Sequence, residues 1–345
     1  MTSSSTSPFI SICILSYNRP ETLTRLLHTI DVKTDLSEIE IVICEDFSPR
    51  RNEISTAVEK FKTQTQIPVH YYENVKNLGY DGTFCELVKK ARGQWLIFMG
   101  DDDEFVEGAF EKVRPFLKQN TQLGYVMKSH YLIHENQQKE VFKYFKKTIF
   151  FPPGEQTYIS LFRRSVFIAG FMIKRELALK HLTDHFDGTM LIQLYLLGET
   201  VLKEPSAYLD IPLTQQYLSH EHNKKDVMFD RDKNEFIPRK PTLDISLKFL
   251  KSFSLITEYI DQKHKLNTTE KIKKDMSKYF YPSLAVHRNS GSVFFLKYVK
   301  ELNKLGFNSS IYYYIYVILL LVLGKDICDW GIFKIKQFLG RTPAL

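Results

Sequence analysis

The sequence predicts an α/β fold: a mostly parallel sheet flanked by helices, followed by a helical C-terminal extension. Short apolar runs rich in β-branched residues alternate with segments whose apolar residues recur at the i, i+3, i+4, i+7 spacing of a helical face. Strands that alternate with helices imply right-handed crossovers and a parallel sheet covered on both faces. The 345 residues suffice for a domain of roughly 200 to 250 residues with an appended segment.

Four strand and helix units open the chain. The predicted strands are residues 9–15, 39–44, 69–72 and 94–99. Each is followed by polar residues and then by an apolar helical face. These faces are Leu23, Leu26, Leu27 and Ile30; Ile54, Val58 and Phe61; Phe84, Leu87, Val88 and Ala91; and Val106, Phe110, Val113, Phe116 and Leu117. Pro20 suits the first turn of the first helix.

The next part of the chain is less regular. Residues 123–127 predict a strand, residues 133–153 a hairpin or loop on the substrate side, and residues 166–173 a buried strand with a close-packed Ala-Gly point. Helices are predicted to begin at Lys174 and Met190.

The composition shifts from Pro212 onward, no further strand and helix unit follows, and the core is predicted to end near this part of the chain. Residues 219–239 are charged and irregular, and apolar spacing then predicts helices over residues 243–260 and 294–305. The predicted organisation is a flexible tail over residues 1–7, the sheet domain over 8–215, a helical and irregular extension over 216–309, and an apolar and basic tail over 310–345.

The C-terminal tail contains one strongly apolar run, residues 311–323. As a helix it would be roughly 20 Å long, short of the roughly 30 Å hydrocarbon core of a bilayer. Tyrosines at one end, with Lys325, Trp330 and further cations beyond the other, favour an interfacial or shallowly inserted helix. The alternative is a buried helix that closes the core.

Composition narrows the class of protein without identifying a partner. The net charge of +7 is spread along the chain. It therefore gives no argument for nucleic acid binding and suits anionic lipid or a phosphorylated substrate equally well.

The four cysteines have neither the spacing of a metal site nor that of a disulfide framework, and residues 1–7 lack the layout of a signal peptide. We expect a reducing cytoplasmic compartment.

Three consecutive carboxylates, Asp101, Asp102 and Asp103, follow the fourth strand. Hard divalent metals such as Mg²⁺ and Mn²⁺ take oxygen ligands, usually one or two carboxylates together with substrate phosphates. Ligands of parallel α/β sheets bind outside the carboxyl ends of the strands. Polar clusters follow all four strands, at residues 17–19, 45–48, 77–82 and 101–103. A metal bridging to a nucleotide diphosphate is therefore favoured over a solvated acidic turn.

These segments, together with Ala91-Arg92-Gly93, resemble glycosyltransferase family 2, the inverting sugar transferases of GT-A fold, over roughly residues 8–210. The resemblance implies a donor site with the following roles. Tyr17 and Asn18, beside Arg19, lie by the nucleobase and ribose, and Asp46 accepts a hydrogen bond from the base. Asn77 and Gly79 lie under the diphosphate. Asp101 and Asp102 bind the donor, and Asp103 binds Mg²⁺ or Mn²⁺. Phe47 stands where glycine or asparagine is commoner in the family.

The Glu-Asp pair that usually supplies the base in this family is absent. Residues 185–193 instead resemble the branch that builds bacterial O-antigen, including abequosyltransferases that use a CDP-activated dideoxyhexose. On this resemblance Asp187 is the expected catalytic base, with Asp184 and His185 as alternatives. The alternative is that Asp187 has a structural role and caps the N-terminus of a helix.

The leading functional hypothesis is an enzyme peripheral to the cytoplasmic face of the inner membrane. It would transfer a sugar from a nucleotide-sugar donor to an oligosaccharide linked to a polyprenyl diphosphate lipid in lipopolysaccharide biosynthesis. A nucleotidyltransferase is a second hypothesis, which the absence of glycine from residues 15–20 disfavours. A non-catalytic GT-A module that binds glycan is the third.

Overall fold

The computed structural model describes residues 7–30, 36–217 and 243–339. The chain forms two compact units, Met1–Gly154 with Ser165–Asn234, and Glu155–Arg164 with Glu235–Leu345. The strands, all in the first unit, are β1 (Ile10–Ser16), β2 (Ile39–Glu45), β3 (Val69–Glu73), β4 (Trp95–Gly100), β5 (Glu104–Phe105), β6 (Tyr125–Ile133), β7 (Lys139–Phe142), β8 (Ile149–Phe151), β9 (Phe171–Lys174) and β10 (Ser206–Tyr217).

The helices belong to both units. In chain order they are α1 (Pro20–His28), α2 (Arg51–Lys62), α3 (Gly79–Lys90), α4 (Ala109–Gln119), α5 (Glu155–Phe162), α6 (Arg175–Lys180), α7 (Ile192–Val201), α8 (Leu243–His264), α9 (Thr269–Ser277), α10 (Tyr281–Asn289), α11 (Ser292–Lys304) and α12 (Ile311–Leu339). Helices α5 and α8 to α12 lie in the second unit. Because Pro20 occupies the first turn of α1, its fixed φ is already suited to the helix.

The sheet of the first unit confirms the predicted α/β class. Its strand order is β3-β2-β1-β4-β9-β6-β10-β5, with β7 paired to β6 and β8 to β10. Strands β1 to β4 are mutually parallel where they pair, whereas β9 runs antiparallel to β4 and to β6. Every residue of β1 and β2 is buried, as expected for a parallel sheet with helices on both faces.

The structure corrects one strand prediction and adds a strand that was not predicted. The predicted strand over 166–173 begins only at Phe171, because Gly170 has a φ of +79° and so cannot continue an extended strand. Strand β10 was not predicted: it runs from Ser206 through Pro212 to Tyr217 and pairs in parallel with β6. The register shifts on both sides of Pro212, since proline cannot donate a ladder hydrogen bond.

The hairpin predicted within residues 133–153 is present in part, because β7 returns antiparallel to β6. The helix α5 was not predicted. The predicted charged stretch over 219–239 and the flexible tail, apart from Ser7, lie outside the described residues. The predicted domain boundaries remain predictions.

The C-terminal helix is longer than predicted. It spans 29 residues, with a non-helical backbone at Gly324 (φ 77°, ψ 175°) that divides it into two helical segments. Residues Ile311–Ile335 form the one helix, within the described part of the chain, that is long and apolar enough to cross a membrane by length and composition. The predicted 20 Å length therefore describes only the segment before Gly324.

Candidate active site

The ends of the parallel strands bring the predicted polar clusters to one edge of the sheet. In the strand register Ser16 is opposite Glu45, Glu45 is opposite Glu73, and Leu15 is opposite Gly100. The residues that follow β1, β2, β3 and β4 therefore start in one row. The prediction that these clusters converge is confirmed.

Asp46 is the centre of the first polar network at this edge. The side chain is fully buried. Its Oδ1 accepts hydrogen bonds from the Leu78 N–H and the Asn74 amide, both at 2.8 Å, and its Oδ2 accepts one from the Gly79 N–H at 2.9 Å. Asn77 Nδ2 donates to the Asp46 carbonyl oxygen at 2.8 Å. Burial raises the pKa of Asp46, and these hydrogen bonds oppose that rise.

Asn74, which links Asp46 to α3, was not among the predicted site residues. Its Nδ2 donates to Thr83 at 3.2 Å as well as to Asp46, and its own N–H donates to the Glu45 carbonyl at 2.9 Å. A signal was present in the sequence, since Asn74 directly follows β3 just as Asp46 directly follows β2. The residue after each parallel strand starts in the same row.

Arg19 joins the loop after β1 to the acidic triplet. Its Nη2 lies 2.6 Å from Asp101 Oδ1, and its Nη1 donates to Asp102 Oδ2 at 2.5 Å. The Tyr17 N–H also donates to Asp101, at 2.8 Å. Asp101 is fully buried, and burial raises its pKa to about 6 although Arg19 opposes that rise. The structure therefore brings the predicted residues 17–19 and 101–102 together.

Asn18 lies between these contacts in an unusual backbone conformation. Its φ is +57°, which asparagine tolerates better than most residues. Its Oδ1 is buried and has no hydrogen-bond partner within the described part of the chain. A buried acceptor of this kind normally has a partner, so Asn18 is a reasonable contact for a ligand.

Asp103 differs from the other two acids of the triplet. It is 5% exposed, and within the described residues no hydrogen bond or ion pair to its side chain is seen. Burial and then the charge of Asp102 raise its pKa well above the usual range, whereas Lys128 and Arg19 oppose the rise. No group of three or more His, Cys, Asp or Glu side chains suited to a metal occurs in the described part.

Lys128, on β6, was also missed from the sequence. It is 4% exposed, and its Nζ donates to Thr214 at 2.7 Å and lies 4.7 Å from the Phe167 ring centroid. Burial lowers the pKa of Lys128 to about 7, and the Asp103 charge opposes that fall. A lysine within an apolar strand was the available signal, because an unpaired charge is rarely buried.

Phe47 occupies an exposed and strained position beside Asp46. Its φ is +59° and its side chain is 52% exposed. The Arg51 guanidinium lies 4.9 Å from the ring centroid, within cation–π range. This is the position where the family more often has glycine or asparagine, the residues that adopt a positive φ most readily.

Asp187 lies in a turn between α6 and α7. Its N–H donates to the Asp184 carbonyl at 3.0 Å, and its side chain is exposed, as are those of Asp184 and His185. Burial raises the pKa of the Cys85 thiol, in the middle of α3, and the charges of Asp81 and, more weakly, Asp187 add to that rise. The structure thus places Asp187 beside α3, and the contacts that join the donor residues to one another do not include it.

Comparison with known proteins confirms the family resemblance predicted from the sequence. Residues 11–177 match the family model described as Glycosyl transferase family 2. An uncharacterized glycosyltransferase of Haemophilus influenzae is 30% identical over 117 residues, 34% of this chain and 37% of that protein. The abequosyltransferase RfbV of Salmonella typhimurium is 30% identical over 109 residues, 31% of this chain and 32% of that protein. The chain thus matches about a third of the length of these relatives.

Solved structures confirm the predicted GT-A fold. Residues 1–349 of S. aureus TarS in complex with UDP-GlcNAc align with a TM-score of 0.58 at 14% identity, covering 96% of this chain and 92% of that one. Another structure of S. aureus TarS gives a TM-score of 0.57 at 13% identity, with 95% of this chain and 55% of that chain covered.

Proposed function

We propose that this protein transfers one sugar from a nucleotide-sugar donor to a lipid-linked oligosaccharide. Two findings support this proposal: residues 11–177 match glycosyltransferase family 2, and the chain has a GT-A fold. The observation that carries the proposal is the row of buried polar groups at the sheet edge, centred on Asp46 and Asp101. The complex of TarS with UDP-GlcNAc supports a nucleotide-sugar donor. The relative RfbV, an abequosyltransferase, supports abequose or a similar sugar as the transferred group. The proposal of an O-antigen acceptor on polyprenyl diphosphate depends on the sequence resemblance of residues 185–193 alone.

The donor would be held by the loops that these acids organise. Tyr17 and Asn18 are proposed contacts of the base and ribose, and the Arg19 ion pairs with Asp101 and Asp102 hold their loop in place. Asp46 holds residues 77–79 by accepting the Leu78 and Gly79 N–H groups. Helix α3 begins at Gly79, and the positive end of a helix dipole favours a diphosphate there.

The Asp103 carboxylate is a suitable ligand for a divalent cation. It is a buried carboxylate beside a second acid, and Mg²⁺ and Mn²⁺ bind one or two carboxylates together with substrate phosphates. When bound, such an ion stabilises the negative charge on the leaving nucleoside diphosphate. We propose Asp103 as its protein ligand, while Asp101 and Asp102 serve the loop of Arg19.

Asp187 is the proposed base that accepts the proton of the acceptor hydroxyl. Its side chain is exposed, on a turn in which Gly188 and Met190 have φ values of +79° and +58°. A base must come within about 3 Å of the hydroxyl it deprotonates, and an acceptor bound against this turn would meet that condition. Asp184 and His185 are the alternatives on the same turn.

The test is release of nucleoside diphosphate from a panel of UDP-, CDP-, GDP- and dTDP-sugars, with membranes that contain polyprenyl diphosphate oligosaccharides, in Mg²⁺, Mn²⁺ or a chelator. We expect Asp103→Asn to lower the rate by about 10²-fold or more, and Asp187→Asn by about 10²- to 10⁴-fold. Glu59→Gln is the control, because Glu59 is an exposed residue on α2 that pairs with Lys62.

The outcomes separate the competing functions. Release of pyrophosphate from a nucleoside triphosphate would favour a nucleotidyltransferase. Binding of a nucleoside diphosphate without turnover of any donor would favour a non-catalytic module. If Asp187→Asn is as active as the unaltered enzyme, Asp187 is not the base.

The second unit supports a peripheral membrane location. One side of α12 packs within the unit: Tyr313 and Leu320 are buried, and the Leu320 carbonyl accepts a hydrogen bond from Arg288 at 2.9 Å. The opposite side exposes a continuous apolar stripe, at spacings of four, three and four residues: Ile311, Ile315, Ile318 and Val322, which are 68, 43, 60 and 75% exposed. Trp330 is also exposed, as is common for an interfacial anchor.

We propose that this stripe lies in the cytoplasmic leaflet of the inner membrane, next to a lipid-linked acceptor. Cosedimentation with phosphatidylglycerol vesicles tests it. The double substitution Ile318→Glu and Val322→Glu should abolish sedimentation. The matched control is Val293→Glu with Leu296→Glu, which alters two exposed apolar residues of α11 and should leave sedimentation unchanged. Equal binding by all three proteins contradicts the proposal.

A further inference from the structure

Asp81, on the first turn of α3, is a buried carboxylate outside the proposed donor, metal and base residues. It is 3% exposed and lies two residues after Gly79, whose N–H is held by Asp46. Its partners are in a distant part of the chain. Oδ2 accepts the Met190 N–H at 2.7 Å, and Oδ1 accepts the Ile192 N–H at 3.0 Å.

These contacts stabilise the turn that carries the proposed base. Met190 has a φ of +58°, a conformation that costs about 1–2 kcal/mol for a residue with a side chain and persists only where its surroundings enforce it. Ile192 begins α7, and the preceding Leu191 supplies no side-chain cap. Asp81 therefore caps α7 from another helix, more than 100 residues away in the chain.

Thr189 completes the attachment. It is 5% exposed, its Oγ1 donates to the Phe186 carbonyl at 2.7 Å, and the same oxygen lies 3.4 Å from Asp81 Oδ2. One turn of α3 thus holds the donor loop through Gly79 and the 187–192 turn through Asp81.

We infer that Asp81 is a positioning residue that couples the donor loop over residues 77–79 to the turn over residues 187–192, and so sets the distance between the bound donor and the acceptor-activating base. This inference rests on the proposed glycosyl transfer. Asp81 touches neither substrate: it acts through the backbone of Met190 and Ile192. Since both attachments are on the same helical turn, the donor loop and the 187–192 turn are held at a fixed separation.

The test compares Asp81→Asn and Asp81→Glu with the unaltered enzyme by three measurements. Hydrogen–deuterium exchange of peptides spanning residues 187–193 reports the contact itself. The rise in melting temperature caused by UDP, CDP or GDP with Mg²⁺ reports the donor loop. Steady-state kinetics with the best nucleotide sugar and acceptor membranes separate kcat from the donor KM. Glu86→Gln is the matched control, because Glu86 is on the same helix and pairs only with Lys89 and Lys90 among the contacts seen.

We expect Asp81→Asn to speed exchange at Met190 and Ile192 by about tenfold, since one of two charged hydrogen bonds is lost. The melting shift with nucleoside diphosphate and the donor KM should stay unchanged, while kcat falls by about 10- to 100-fold, as a displacement of about 1 Å would cause. Asp81→Glu, which keeps the charge, should restore part of kcat. Glu86→Gln should match the unaltered enzyme in all three.

Met190→Gly gives an independent check in case Asp81→Asn lowers overall stability. Glycine adopts the same positive φ without strain but holds the turn less firmly, so kcat should fall with the donor KM unchanged and Asp81 intact. Unchanged exchange, unchanged kcat, or a joint loss of kcat and of the melting shift in Asp81→Asn would each overturn the inference. If the unaltered enzyme turns over no donor, the proposed function fails and the catalytic part of the inference with it, whereas exchange still decides whether the contact exists.

Discussion

Replacing Asp46 gives the most direct test of how the donor edge is built. Its carboxylate is fully buried and accepts three hydrogen bonds, from Asn74, Leu78 and Gly79, at 2.8–2.9 Å. Asn at this position keeps one acceptor oxygen but turns an NH₂ group toward a remaining donor. Ala leaves the Leu78 and Gly79 N–H groups without this acceptor and leaves the Asn74 amide only its bond to Thr83.

The expected loss of stability follows from these contacts. Hydrogen bonds to a charged group contribute about 1.5–3 kcal/mol each, and a buried donor left unsatisfied costs about 1–3 kcal/mol. Burial raises the pKa of Asp46, so removing the charge recovers part of a desolvation cost. We therefore expect Asp46→Asn to lower the free energy of unfolding by about 1–3 kcal/mol and Asp46→Ala by about 3–5 kcal/mol.

Urea unfolding followed by tryptophan fluorescence measures this loss. The sequence has two tryptophans, and Trp330→Phe leaves buried Trp95, on β4, as the reporter for the first unit. The control is Glu73→Gln, since Glu73 ends β3 with a side chain 40% exposed and should change stability by less than about 0.5 kcal/mol.

Donor affinity completes the test. Because residues 77–79 depend on Asp46, both variants should also lose the melting shift caused by nucleoside diphosphate with Mg²⁺. A variant Asp46→Asn that keeps its full stability but loses the melting shift would show that Asp46 serves the ligand directly and not the loop. Full retention of both would refute the reasoning about this edge altogether.

Substitutions at three further positions test other parts of the chain. Gly93→Ala would place a Cβ 2.5 Å from the Ser11 backbone nitrogen, so we expect urea unfolding to show a loss of about 1–3 kcal/mol, as for other overpacking. Phe47→Val should be less stable than Phe47→Asn by about 1–2 kcal/mol, because a β-branched residue at φ +59° is strained. Burial raises the pKa of Asp261, but hydrogen bonds from Thr268 and Thr269 outweigh it and lower the pKa. The unfolded chain then binds the proton more tightly, so this stabilisation is present above the ordinary pKa of about 3.9 and is lost as the pH falls. Asp261→Asn should thus lower the free energy of unfolding at pH 7. The difference in this free energy between the variant and the unaltered protein should become smaller as the pH falls, which urea unfolding at several pH values would measure.

Strands β1, β2 and β4 could be predicted because they are buried on both faces, whereas β3 is only half-buried. Continuous apolar runs such as residues 41–44 and 95–99 leave little ambiguity when helices alternate with them. The location of the site followed from the same pattern, since ligands of parallel sheets bind at the carboxyl ends of strands. Local sequence was therefore sufficient to place residues 17–19, 46, 77–79 and 101–103 at one edge.

Strand β10 could not be predicted for a physical reason. It contains Pro212 and a polar second half, Thr214 to Gln216, and its pairing with β6 is interrupted on both sides of the proline. Such a strand has neither the apolar run nor the alternation by which strands are predicted from sequence. Lys128 was missed with it, because the lysine is stabilised by Thr214 on that strand.

The roles of the site residues depend on contacts that are remote in sequence. Tyr17 N–H meets Asp101 across 84 residues, Asp46 holds Gly79 across 33, and Asp81 holds Ile192 across 111. Local patterns predict where a strand ends, but they do not show which distant group a buried carboxylate accepts. That is why the positions of the acidic residues could be predicted from the sequence, while the contacts of each acid could not.

Four buried carboxylates of the donor edge are chemically alike: Asp46, Asp81, Asp101 and Asp103. Three of them accept hydrogen bonds from backbone N–H groups of other loops. Asp103 holds none within the described residues, and for this reason it is the acid best placed to meet a ligand.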